Sequence, residues 1–283
     1  MLDAILHYPF LQNAFLSGII IGCIAPMLGL FIVVRRLSLI ADALSHVALA
    51  GIAGSLYLSQ QVIAFATLNP IYLGIGSAVG GSLLIERLRK TYKNFEELAI
   101  PIIMSAGIGF GAIFISLAKG FSTDLMSYLF GSVSAVGRDD LYVVIAIAIV
   151  VIAFVFLFYK EMFTLSFDAD YSRVVGIQGK WIQPLFMIII ALVIGASMRI
   201  VGILLVSSLM TIPVAAAMKV AKSFKSALWL SVVFGEIAVW IGLIAAFYLD
   251  IAPGGMIVVT SVVLLLIVLG TQKIKSRGRE EMA

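Results

Sequence analysis

The chain has 283 residues, of which 62% are hydrophobic and 12% charged, with a formal net charge of +4 and a single cysteine. Soluble domains average about 25% charged residues, so a water-soluble enzyme or binding module is excluded as the main body. Cys23 alone allows no internal disulfide. The basic residues fall between apolar runs, so no nucleic-acid partner is expected.

The N-terminus, Met-Leu-Asp-Ala-Ile-Leu-His-Tyr-Pro-Phe, lacks the basic segment of a signal peptide, so the first span is expected to be retained. Apolar runs bounded by charges predict spans over 14–34, 38–58, 62–86, 97–118, 141–159, 181–198, 200–218, 226–249 and 254–271. The sixth and seventh are short and part only at Met198-Arg199. The fold class expected is an all-α polytopic membrane protein of about eight to nine transmembrane helices, one domain over residues 1–283. With the N-terminus outside and the C-terminus cytoplasmic, sixteen of the nineteen lysines and arginines fall inside, leaving Lys119, Arg138 and Arg199 outside. That asymmetry is the positive-inside pattern.

Three connections are long. Residues 87–96 form a polar cytoplasmic loop. Residues 119–140, outside and half apolar, suit a short interfacial or re-entrant helix. In the cytoplasmic segment 160–180, Ser166 or Asp168 suits the cap of a short helix that ends at Gly176. Asn69-Pro70 reads as a kink within the third span, and Gly74, Gly76, Gly80 and Gly81 as points of close helix approach. Ser207, Ser208 and Thr211 read as bonding back to their own helix. The chain holds no phosphate loop ending in Lys-Ser or Lys-Thr, so nucleotide energy has to come from another subunit.

Few ionisable residues sit at membrane depth, where each costs roughly 2.5–3.5 kcal/mol and usually faces a partner or a pathway. Asp42 and His46 are four apart, so a helix carries both on one face. Two readings stand. They ligate a divalent cation or handle protons together. Alternatively Asp42 complements the helix N-terminus with Ser38 as cap, and His46 is a hydrogen-bonded interior residue. Glu236, in the middle of the eighth run, is protonated, paired with another helix, or exposed to a water-filled path.

The stretch Arg35-Arg-Leu-Ser-Leu-Ile-Ala-Asp42-Ala-Leu-Ser-His46 resembles the signature of ABC-type zinc and manganese importer permeases. Val201 to Ala217, with Pro213, is similar to that family's late helix. Phe167-Asp-Ala-Asp-Tyr-Ser-Arg-Val-Val-Gly176 resembles its ATPase-coupling segment, and Tyr128-Leu-Phe-Gly131 its external segment. The resemblance implies a permease subunit of a bacterial plasma-membrane importer, acting as a homodimer within membrane lipid. It also implies cytoplasmic ATP-binding subunits, which hydrolyse the ATP, and an extracellular metal-binding protein. By the same resemblance no cofactor would be bound permanently, and Zn2+ or Mn2+ would be the transported substrate. Asp42 and His46 would be metal contacts, with Glu236 assisting, and Phe167, Asp168, Asp170, Arg173 and Gly176 would couple to the ATPase. Ala41 and Ala50 stand where manganese members more often carry glycine and proline, so the run looks nearer to zinc-uptake permeases. The alternatives are a manganese importer, a siderophore or corrinoid permease, and, from another class, a proton-coupled secondary transporter or an intramembrane metallo-hydrolase.

Overall fold

The computed structural model describes residues 7–62, 67–92, 94–118, 123–177, 179–203 and 205–280, with backbone alone at 123, 124, 169, 170, 173 and 274–280. Its helices are α1 (Pro9–Val34), α2 (Leu39–Gln61), α3 (Pro70–Thr91), α4 (Ala99–Leu117), α5 (Thr123–Phe130), α6 (Arg138–Leu157), α7 (Tyr159–Phe167), α8 (Ala169–Val174), α9 (Gly179–Ser197), α10 (Val206–Val220), α11 (Phe224–Leu249) and α12 (Pro253–Glu280). Eight are long and apolar enough to cross a membrane, and α10 is a shorter apolar helix. The chain is an all-α, multi-pass membrane protein.

Helices start and stop where backbone chemistry dictates. The third span begins at Pro70, not at 62: Asn69 Oδ1 accepts from the Ile71 N–H at 3.2 Å, and proline takes the first helical position. Asn69-Pro70 is therefore a helix start rather than a kink. Residues 63–66 of the expected span lie outside the described residues. Ser38 occupies the N-cap position of α2 but makes no side-chain cap bond. Between α1 and α2 the turn is tight. Arg36 adopts φ 58°, Leu37 N–H donates to Ile32 O at 2.9 Å and Arg36 N–H to Val33 O at 3.0 Å. This is a Schellman ending with arginine in the left-handed position that glycine normally fills.

Packing divides the bundle into two groups. α2 lies against α3 and α4, while α1 packs with α10 and α11, on which α12 also packs. α9 joins the groups by contacting α3 and α6, and α6 closes on α1. The interior is made by α1, α2, α9 and α10, with Phe31, Leu28, Leu44, Ile52, Phe186 and Met210 at most 1% exposed. Contact at the α1–α10 crossing is close enough that a side chain at Gly29 would meet the Met210 carbonyl. Of the four α3 glycines, Gly74 and Gly81 do permit close approach, to Ile52 and Val47, whereas Gly76 and Gly80 face nothing within 4 Å.

The join between α9 and α10 is irregular yet buried. Met198, Val201 and Ile203 are 0% exposed, so their backbone needs partners inside the protein. The segment after α5 supplies them: Ser132 N–H donates to Arg199 O at 2.8 Å, and Ile203 N–H to Tyr128 O at 2.9 Å. Gly131 and Gly202 face each other here with φ 79° and 85°. A Cβ at Gly202 would stand 2.5 Å from Leu129 O. The expected short helix in 119–140 is α5 followed by a 3-10 turn, Val133–Ala135. It is tucked in, with Leu125 and Leu129 buried.

Candidate functional site

Asp42 and His46 lie in the first two turns of α2, about 6 Å apart along its axis. The residues between and around them, Ala41, Ala43, Leu44 and Ala48, are 0% exposed, whereas Asp42 and His46 remain partly open, in line with exposed Leu39 and partly open Leu49. A partly open face of α2, set among buried neighbours, thus carries both polar groups. Among the described residues neither side chain makes a hydrogen bond or ion pair. His46 is therefore not a hydrogen-bonded interior histidine here. The position of α2 is held by small residues on its other side. A Cβ at Gly107 of α4 would fall 2.8 Å from Val47 N and 2.9 Å from His46 C, and Ser77 of α3 donates to Val47 O at 3.1 Å.

No three His, Cys, Asp or Glu side chains come together among the described residues. One chain therefore offers at most the carboxylate and imidazole of this pair. Imidazole and carboxylate together suit borderline divalent cations. Glu236 is elsewhere. It sits mid-way along α11, which packs on α1, α10 and α12, while α2 packs on α3, α4, α9 and α10. Its Oε1 is buried without a partner and lies over Gly22 of α1, where a Cβ would come within 3.0 Å of it.

The segment 160–180 is two helices with a joint. Asp168 provides the cap, accepting from Tyr171 N–H at 2.8 Å, and Gly176, with φ 83°, follows the end of α8. Ser166 does not cap: its hydroxyl donates to Met162 O at 2.6 Å and accepts from Arg35 Nε at 3.1 Å. Phe167 is 62% exposed and ends an aromatic stack in which Phe163 lies 4.9 Å from Phe167 and 5.1 Å from Phe224, and Phe224 lies 5.2 Å from Phe31. The side chains of Asp170 and Arg173 lie outside the described residues. Beside α8, a cleft of about 770 Å3 opens between Arg89, Lys90, Ser172, Gly176 and Trp181.

Arg35 ties these parts together. Besides Ser166 it donates to Met162 Sδ at 3.7 Å, and its guanidinium lies 5.1 Å from the Phe186 ring centre. Burial pushes its pKa down to about 10; the Arg89 charge adds to the drop and Glu86 opposes it. Sequence reasoning found Arg35 only as a charge closing the first span. Its reach to α7, 127 and 131 residues away, has no local signal. At the other end of the bundle, Arg199 donates to Asp140 Oδ2 at 2.8 Å, to Ala135 O at 2.8 Å and to the Tyr128 hydroxyl at 3.2 Å.

Comparison with known proteins agrees with this architecture. Residues 7–272 match the family model described as the ABC 3 transport family. A "Probable metal transport system membrane protein" of Treponema pallidum (strain Nichols) is 33% identical over 272 residues, 95% of this chain and 98% of that protein. The "Manganese transport system membrane protein MntC" of Listeria monocytogenes is 34% identical over 266 residues, 94% of this chain and 92% of the relative. Among solved structures, "PsaBC from Streptococcus pneumoniae in complex with Fab" superposes with a TM-score of 0.81 at 30% identity, covering 94% of this chain and 93% of that one. With nearly its whole length matched by the family model and by relatives above 30% identity, the chain belongs to the ABC 3 transport family.

Proposed function

We propose that this chain is the membrane-spanning subunit of an ATP-driven importer of divalent transition-metal ions in a bacterial plasma membrane. The observation that carries the reading is the partly open face of α2, where Asp42 and His46 stand uncommitted among the buried residues Ala41, Ala43, Leu44 and Ala48. A second copy set against that face brings a second carboxylate and imidazole, with water completing a weak, transient shell. Manganese is the ion that the relatives' names support, and their match spans nearly the whole chain. Zinc is the second reading, favoured by Ala41 and Ala50 in the α2 motif.

The basic end of the bundle, with Arg35, Arg89 and Lys219, faces the cytoplasm by the charge asymmetry. There the partner ATPase grips α7 and α8, and an extracellular metal-binding protein delivers the ion to the Arg199 end. Movement of α7 reaches the start of α2 through Arg35. Glu236 lies one helix layer away from the pair and acts through the α1–α11 packing. Uptake by reconstituted permease and ATPase, with manganese and zinc in competition, tests the reading. Asp42→Ala with His46→Ala is expected to abolish uptake while the complex still assembles. Full uptake by the variant, or uptake without any ATPase, overturns the reading. The second outcome would instead favour proton coupling.

A further inference from the structure

A groove of about 730 Å3 runs down the outside of the bundle between α1, α6, α7 and α11. Cys23, Met27, Val155 and Val232 form its floor. From Cys23 to Val34, the end of α1, the helix rises about 16 Å, which is roughly half of the ~30 Å hydrocarbon core. Cys23, at the floor of the groove, thus lies about one leaflet's depth from the end of α1. The rim of the groove is different in kind: Lys160, Glu161 and Lys225 stand there beside Tyr159 and Trp229. Tyrosine and tryptophan are the side chains that settle at the hydrocarbon–water boundary.

The rim is chemically unfinished. Neither Lys160 nor Lys225 makes an ion pair among the described residues, and Glu161 Oε2 is buried with no hydrogen-bond partner. Two ammonium groups and one carboxylate leave a net single positive charge facing the mouth of an apolar channel. A soluble protein cannot follow such a channel into hydrocarbon. A second copy of the chain, packed about a two-fold axis, would present the same patch to itself and set lysines against lysines.

We infer that this groove holds an anionic glycerophospholipid whose headgroup carries hydroxyls, with phosphatidylglycerol chemistry. One acyl chain lies over Met27, Val155 and Val232. The phosphodiester sits between Lys160 and Lys225, and a headgroup hydroxyl donates to the Glu161 carboxylate, whose Oε2 turns outward from its buried position to accept it. A basic pocket between spanning helices is the usual setting for such headgroups. Phosphatidylcholine has no hydroxyl donor for Glu161, and the ammonium of phosphatidylethanolamine would stand beside two lysines.

The test is native mass spectrometry of the full chain released from nanodiscs with equal parts phosphatidylglycerol, phosphatidylethanolamine and phosphatidylcholine. Phosphatidylglycerol is expected to be retained at least about tenfold over either other lipid, a difference of about 1.4 kcal/mol. Lys160→Ala with Lys225→Ala is expected to erase that preference, and Lys160→Arg with Lys225→Arg to keep it. Equal retention of the three lipids overturns the inference. So does an unchanged preference in the alanine pair, or its loss in the arginine pair, which serves alone if the alanine pair does not accumulate. Efficient oxidative crosslinking of two chains through Cys23 in native membranes would also overturn it, by placing a second copy in the groove.

Discussion

Replacing Arg35 by glutamine removes a buried charge and shortens the arm between α1 and α7. The arginine gains hydrogen bonds to Ser166 and Met162 and a position 5.1 Å from the Phe186 ring centre. A charged-donor hydrogen bond contributes ~1.5–3 kcal/mol and a partly desolvated cation–π contact ~1–2 kcal/mol. Against this stand burial and, less, the Arg89 charge, which lower the Arg35 pKa from its ordinary value to about 10 and cost roughly 3 kcal/mol. The guanidinium remains charged at neutral pH, so the folded protein carries that cost throughout the physiological range. The two sides nearly cancel. Arg35→Gln is therefore expected to change stability by only ~1–2 kcal/mol, a shift of several degrees in melting temperature. Function is expected to respond far more, because α7 then moves without pulling on the start of α2. Metal uptake and ATP hydrolysis should be measured in the same proteoliposomes. Hydrolysis is expected to persist while uptake per ATP falls about tenfold, a coupling loss of ~1.4 kcal/mol. Unchanged uptake per ATP would refute the tether.

Arg35→Lys puts an ammonium of lower ordinary pKa into the same buried place. It is expected to transport near neutral pH and to fail as the pH rises and the ammonium loses its proton; a pH profile of uptake flat to the alkaline limit would count against it. Gly107→Val is expected to destabilise by ~1–3 kcal/mol through overpacking and to lower uptake, since its Cβ meets the backbone at His46 and Val47; a thermal-shift assay with uptake checks both. Arg199→Ala leaves Asp140, mostly buried, without its 2.8 Å partner, and a cost of ~3–5 kcal/mol is expected. A double-mutant cycle with Asp140→Asn should recover part of it. Gly202→Ala forces a side chain into a left-handed turn facing Leu129 O and is expected to cost more than ~2 kcal/mol, read as lost thermal stability.

Much of the architecture is legible because the bilayer imposes a length on every helix. The α2 pair is legible for a related reason: a carboxylate and an imidazole four residues apart cannot be hidden in an apolar run. What stays illegible is whatever depends on contact across the chain. Asn69-Pro70 carries the same letters whether it kinks a helix or starts one, and only the extended backbone of Asn69 decides. Glu236 looks like a third site residue by chemistry, yet α11 packs away from α2. Arg35 looks like no more than a charge closing the first span until Ser166 and Phe186 are seen around it.

The buried join between α9 and α10 bears on how the protein is made. With only 15 residues, α10 offers the insertion machinery too short a hydrophobic segment to be recognised alone. It must be held in the bilayer by its neighbours α1, α11 and α12. The reversal between α9 and α10 then has its backbone satisfied only when the segment 128–132, synthesised some seventy residues earlier, is already in place. Insertion of the second half of this protein is templated by the first, so lesions at Gly131 or Gly202 would be met by quality control before they were met by any substrate.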